Sequence, residues 1–196
     1  MPDKLKIIIK KGALKHRVKE LGEEISRDYR DKDPVLVGIL NGSFIFLADL
    51  IRELKIPHRV DFVSVTSYGS GKQSAGAVKV LKDLSINIGG KHVIIVEDII
   101  DTGLTLDFIR HQLLTRNPKS LKIAALLNKR SSRKKKVASK YVGFSIPDQF
   151  VVGYGLDYAD KYRNLPHIAR IVDSSHNQIP AGAGRRSANS PEKGLK

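Results

Sequence analysis

One unbroken run, from Val93 to Ile109, constrains the fold of this chain more than any other part of it. Val93-Ile94-Ile95-Val96 is a succession of β-branched apolar residues, the mark of a strand buried on both faces. Just beyond it, Leu106, Ile109 and Leu113 recur at helical spacing. A strand-to-helix loop therefore lies between them, and in an α/β sheet such a loop sits at the carboxyl edge, where a helix N-terminus offers unpaired N–H groups to an anion. Gly103 lets the backbone come close to a phosphate, and Thr102 and Thr105 add hydroxyl donors. Glu97, Asp98 and Asp101 would repel a bare phosphate, so they ask for a sugar, a metal ion or a proton-bearing base. A phosphorylated sugar whose hydroxyls and metal meet the acids suits both halves of the run. Solvated acids at a strand end followed by a helix cap are the plainer alternative.

A second unit of the same kind precedes it. Asp33-Pro34 breaks a helix whose inner face carries Leu14, Val18, Leu21, Ile25 and Tyr29, and Val35–Leu40 follows as a buried strand. Asn41-Gly42-Ser43 then leads into a helix with Phe44, Leu47, Ala48, Ile51 and Leu54 expected inward. At the start of the chain, Ile7-Ile8-Ile9 predicts a short edge strand. Residues 60–67 alternate apolar and polar, residues 68–76 have no apolar period, and Val78-Lys79-Val80-Leu81 resumes the strand pattern. This predicts a hairpin with a long mobile loop of the kind used as a lid. Residues 121–127 form a further buried strand that ends at Asn128-Lys129-Arg130.

From 140 to 173 the short apolar pieces are punctuated by Pro147, Gly153, Gly155 and Pro166, which predicts a small hood over the carboxyl edge. Residues 176–196 have little to bury and are expected to be a disordered tail. The fold expected is one α/β domain, residues 1–175, with a mainly parallel twisted sheet flanked by helices and a hood built mainly from 140–173.

Composition narrows the classes. The chain of 196 residues has no Cys, which removes disulfides, thiolate nucleophiles and Cys-zinc sites and favours an intracellular, cytoplasmic setting. No secretory signal or membrane-spanning run is visible. The six His residues show no metal-ligand spacing, Gly69-Ser70-Gly71-Lys72 lacks the glycine and frame of a Walker loop, and no nucleophile elbow is present. The net charge of +15 invites a nucleic-acid reading, but Lys129, Arg130, Arg133, Lys134, Lys135, Lys136 and Lys140 supply seven of those charges in one run without an acid. A solvated basic loop is the preferred reading of that run.

Val93-Ile94-Ile95-Val96-Glu97-Asp98-Ile99-Ile100-Asp101-Thr102-Gly103-Leu104-Thr105 resembles the phosphoribosyl-pyrophosphate motif of type I phosphoribosyltransferases. Leu40-Asn41-Gly42-Ser43-Phe44, Ser67-Tyr68-Gly69, Leu127-Asn128-Lys129-Arg130 and the stretch from Ile146 to Tyr158 resemble the matching blocks of hypoxanthine-guanine phosphoribosyltransferases, in order and spacing, from about Leu5 to Asp173. The resemblance implies the type I phosphoribosyltransferase fold and transfer of the phosphoribosyl group from phosphoribosyl pyrophosphate to N9 of a 6-oxopurine, in purine salvage.

It also implies roles. Glu97 and Asp98 would hold the ribose hydroxyls directly or through Mg2+, with Asp157 at a second metal position. Asp101 would accept the purine N7 proton, and Asp101, Thr102, Gly103, Leu104 and Thr105 would wrap the 5-phosphate. Asn41, Gly42 and Arg163 would bind pyrophosphate. Lys129, Phe150, Val151 and Asp157 would bind the purine, and Ser67 and Tyr68 would carry the lid. A homodimer or homotetramer without membrane or nucleic-acid partners is expected. Asn41 departs from the Lys or Arg of many members, so a side-chain charge on pyrophosphate is missing, and Leu104 replaces a Lys found in some. The rivals are the same fold acting on adenine, xanthine or a pyrimidine, and a nucleic-acid-binding regulator that has kept the fold.

Overall fold

In the computed structural model, residues 4–68, 77–129, 131–132, 134–135 and 137–172 are described. The chain runs β1 (Lys4–Ile9), α1 (Lys11–Asp28), β2 (Val35–Leu40), α2 (Phe44–Glu53), β3 (Arg59–Tyr68), β4 (Ala77–Lys82), β5 (His92–Ile100), α3 (Leu104–Leu114), β6 (Ser120–Lys129), β7 (Tyr141–Ile146), β8 (Val151–Val152) and β9 (Ile168–Val172). Two sheets result. The larger has the order β4-β3-β2-β5-β6-β7 and the smaller β1-β9-β8.

The larger sheet is parallel from β3 to β7, and β4 is added antiparallel to β3, so the expected hairpin is present. Its central strands are buried on both faces because successive side chains enter different cores. Ile94 and Val96 of β5 pack with Leu36, α1 and α2, whereas Val93 and Ile95 pack with Val35, Val37 and the α3 residues Leu106, Ile109 and Leu113. Helices on both faces make three layers. The apolar run at Val93–Val96 required this, since a strand with one wet face would alternate.

The helix after β2 and the helix after β5 lie on opposite faces, and β2 and β5 are neighbours. The order of strands therefore reverses between them. In open α/β sheets the carboxyl end of such a reversal opens a crevice, because the two connections diverge and leave nothing above the strand ends.

Two expectations are corrected by the packing. Phe44 is 42% exposed; Leu47 and Leu54 are buried as expected, but Phe46 and Leu50 complete the buried face of α2 in its place. The stripe is rotated because α2 lies against α1 as well as the sheet. Residues 141–146, assigned to the hood, form the edge strand β7 of the large sheet, where Arg17 of α1 donates to the carbonyls of Val142 and Gly143 at 2.9 and 3.2 Å. The first strand is an edge strand, as expected, of the small sheet: β1 pairs with β9, Lys4 opposite Val172. The expected lid loop, at 69–76, and the expected tail, from 176, fall outside the described residues.

Candidate active site

The crevice between β2 and β5 gathers the predicted residues from three directions. β2 leaves the sheet at Leu40, whose peptide bond to Asn41 is cis, and turns through Asn41-Gly42-Ser43 into α2. Ser43 is fully buried and its hydroxyl donates to the Ile39 carbonyl at 2.7 Å, which holds the turn against the strand it left. β5 continues past the end of its pairing with β2, so Glu97 and Asp98 sit inside the strand rather than in the loop, 4% and 5% exposed. Gly42 lies directly on Asp98, and a Cβ there would fall on the Asp98 carboxylate. The Asn41-Gly42 backbone and the acid pair thus share one wall of the crevice.

Beyond the acids, Asp101 and Thr102 lead to Gly103, the N-cap of α3, in a left-handed conformation with φ 79°. That conformation is open to glycine without steric cost. No side chain caps α3; the Leu104 amide is 3.5 Å from Thr102 Oγ1, at the limit of a hydrogen bond. The first-turn amides and the Thr102 and Thr105 hydroxyls therefore keep donors for an anion, with the helix dipole behind them. Leu104 is 43% exposed, so its side chain leaves the loop open and its contribution is the backbone.

Lys129 ends β6 beside this loop. It is 6% exposed, and its ammonium is 3.4 Å from both Asp101 Oδ2 and Asp148 Oδ1. A buried ammonium requires such partners, because desolvation without them costs several kcal/mol or about that order. Asp148 was not singled out in the sequence, although it lies in one of the matching blocks. The Ser132 hydroxyl, and then the Lys129 charge, hold its carboxyl below the usual carboxylate range. Phe150 meets Tyr158 edge to face, with centroids 5.5 Å apart, and Val151 is buried in β8 beside it. Tyr158 is a second partner that no single-residue signal reveals.

The hood closes the third side. Gly155, at φ 102°, packs on the Gly42 carbonyl so closely that a Cβ would collide with it. The neighbouring Tyr154 hydroxyl donates to Asp49 of α2 at 2.6 Å, and burial together with that bond drives its pKa far above the ordinary phenol value. Arg163 donates to the Gly155 carbonyl at 2.8 Å and pairs with Asp157 at 2.8 Å. The structure thus brings Arg163 into the corner of Gly42, with two of its five donors used to hold the 155–163 turn. Asp157 pairs with Arg163 through one oxygen, and its other oxygen accepts from the Asp160 amide at 3.0 Å.

Among the described residues, no group of three His, Cys, Asp or Glu side chains converges as a metal-ligating cluster. Glu97, Asp98 and Asp157 do not form one by themselves. They are hard oxygen donors, suited to Mg2+ when substrate oxygens supply most of the shell. Ser67 and Tyr68 end β3 and pair with Val78 and Ala77 of β4. Among the described residues no helix is long and apolar enough to cross a membrane.

Residues 6–159 match the phosphoribosyl transferase domain model. The hypoxanthine phosphoribosyltransferase of Salmonella typhimurium is 51% identical over 174 residues, 88% of this chain and 98% of the relative. The hypoxanthine-guanine phosphoribosyltransferase of Bacillus subtilis is 46% identical, over 83% of this chain and 91% of the relative. The crystal structure of a hypoxanthine-guanine phosphoribosyltransferase from Bacillus anthracis superposes with a TM-score of 0.82 at 49% identity, covering 87% of this chain and 99% of that one.

Proposed function

This chain belongs to the phosphoribosyltransferase family, and we propose that the β2–β5 crevice is where it moves the 5-phosphoribosyl group from phosphoribosyl pyrophosphate to N9 of hypoxanthine or guanine. It is a purine-salvage transferase. In the reaction the bond from ribose C1 to a pyrophosphate oxygen breaks and the bond from C1 to purine N9 forms, through a cation-like transition state of the glycosyl-transfer kind. Glu97 and Asp98 accept hydrogen bonds from the ribose hydroxyls and face the developing positive charge. The amides and hydroxyls of Thr102–Thr105 bind the 5-phosphate at the N-terminus of α3. Asp101 takes the proton from purine N7 as N9 becomes bonded.

Pyrophosphate departs toward Asn41, Gly42 and Arg163. Because Asn41 brings no charge, the backbone amides and Arg163 carry that subsite. Lys129 donates to the purine O6, Phe150 stacks on the ring, and the Val151 backbone and Asp157 read its edge. Ser67 and Tyr68 carry the lid that keeps water from capturing the cation. Mg2+ is the cofactor we assign: Glu97, Asp98 and Asp157 would hold it, and it would neutralise charge on the departing pyrophosphate. A cytoplasmic homodimer or homotetramer is the form assigned, which light scattering after gel filtration reads directly.

One observation carries this reading. The Lys129 ammonium is held 3.4 Å from Asp101, so the donor for O6 and the acceptor for the N7 proton stand together beside an uncapped helix N-terminus. An ammonium has donors alone, which suits a 6-oxo group and opposes a 6-amino group. Pyrophosphate release from phosphoribosyl pyrophosphate and Mg2+ is to be measured with hypoxanthine, guanine, xanthine and adenine in turn. Turnover with hypoxanthine or guanine and none with adenine is expected; release with no purine would sink the proposal.

A further inference from the structure

We propose that the backbone at Lys134 and Lys135 is a strap on the 5-phosphate loop, with the amides of these two residues as positioning groups. The inference rests on the reading of Thr102–Thr105 as the 5-phosphate site. The amides of Lys134 and Lys135 both donate to the Thr102 carbonyl, at 3.0 and 3.1 Å. Two donors on one carbonyl occupy both of its lone pairs and pin the peptide between Thr102 and Gly103 from outside. The next residue carries the same contact further. A Cβ on Gly103 would stand 2.8 Å from the Lys135 carbonyl, so the strap lies against the α3 cap with no room between them.

The chain is anchored on both sides of the strap. Lys129 is buried between Asp101 and Asp148, and Val137 is 2% exposed in the core that also holds Leu106 and Ile109 of α3. The Lys134 and Lys135 side chains stay exposed. Lys134 and Lys135 are therefore not simply solvated: their charges ride on backbone seated on the phosphate cradle. The cradle is touched at two consecutive residues, Asp101 through the Lys129 ammonium and Thr102 through the two amides. Order imposed by a bound 5-phosphate at Thr102 then reaches the purine-side ammonium through the adjacent Asp101. Such coupling must be reciprocal, so a purine strengthens phosphate binding as much as the phosphate strengthens purine binding.

Lys134→Pro and Lys135→Pro each remove one N–H from Thr102. Each is expected to weaken binding of inosine 5′-monophosphate roughly fivefold, the worth of one hydrogen bond, and to raise the KM for phosphoribosyl pyrophosphate alike. The affinity for inosine, which lacks the phosphate, and kcat should stay within about twofold. Lys134→Ala and Lys135→Ala, which keep the amide, should restore the phosphate-dependent affinity. A wild-type measurement guards against a proline variant that does not fold: exchange of the Lys134 and Lys135 amides should slow on adding inosine 5′-monophosphate and not on adding inosine. Equal losses for nucleotide and nucleoside, failure of the alanine rescue, or exchange unaffected by the nucleotide would overturn the strap. Wild-type protein that releases no pyrophosphate with any purine would instead remove the functional reading beneath it, an outcome these binding measurements distinguish.

Discussion

The cradle at residues 97–105 and the hood corner around Gly155 face each other across the same crevice, yet they are built in opposite ways. The cradle is one continuous piece of chain in which a buried strand, an acid pair, a glycine cap and a helix follow in order. The corner is assembled from Gly42 and Asp49 on one side and Tyr154, Gly155, Asp157 and Arg163 on the other, more than a hundred residues apart. The first is held by the hydrogen bonding of a central sheet; the two sides of the second meet through the Tyr154–Asp49 bond and one tight backbone contact. Damage to the cradle should therefore appear in chemistry, and damage to the corner in stability and pyrophosphate binding.

The sharpest test of that division is Asp101→Asn. Asp101 is a cradle residue with a half-exposed side chain, so the variant should fold and bind inosine 5′-monophosphate while losing about 10²–10⁴ in turnover, the usual contribution of a positioned base. Turnover near wild type would take Asp101 out of that role. Lys129→Gln tests the seam between the regions. An amide both donates and accepts, so the preference for hypoxanthine over adenine in kcat/KM should narrow by roughly 10–100-fold, within the range that one selective hydrogen bond supports. An unchanged ratio would sink Lys129 as the selector.

Smaller effects belong to the corner and the periphery. Tyr154→Phe removes the bond to Asp49 but leaves that carboxylate on Arg52 at 2.7 Å, so a loss of about 1 kcal/mol and a fall in Tm of ~2–4 °C are expected. The KM for phosphoribosyl pyrophosphate should rise more than that for the purine. A fall in kcat alone would contradict the contrast drawn between the two regions. The least effect is expected at Asp28, far from both, where the Lys140 ammonium at 2.6 Å and the Tyr141 hydroxyl at 2.7 Å hold the carboxyl below its ordinary range. A depressed carboxyl contributes stability that is present above its unfolded pKa and is lost as pH falls through the folded one. Acid denaturation of Asp28→Asn should accordingly start from a lower stability at neutral pH and show a shallower acid limb below about pH 4. Identical curves would remove Asp28 as a pH-linked tie between α1 and β7.

How much of each region could be read from the chain follows the same division. β2 is observed at the residues expected, Val93–Val96 is wholly buried, and Leu106, Ile109 and Leu113 face the core, because each signal is a period within one element. The acids, the glycine and the threonines of the cradle were legible for the same reason. The position of Phe46 was not, since it depends on α1 lying across α2, and no period in α2 encodes its neighbour. That β1 pairs with β9 and β7 with β6 was hidden because short apolar strands carry no address; pairing is decided by partners far away in sequence. Asp148 and Tyr158 stayed silent because each acquires meaning through a single partner, Lys129 and Phe150. The reversal between β2 and β5, which locates the crevice, is a property of topology alone.

The pairing of β1 with β9 also sets a timetable. Lys4 leaves the ribosome long before its partner, Val172, has been made. Pairing over such a separation is slow to form, because the loop must be closed before the strand contacts reward it. The cradle strand, its helix and β2 can pair long before that, as domains generally organise from the N-terminal side during synthesis. A nascent chain therefore acquires β2, β5 and α3 early and the β1–β9 pairing last, and a chain that stops short of β9 leaves β1 as an unpaired edge, the kind of exposed strand that quality-control proteases and aggregation find first.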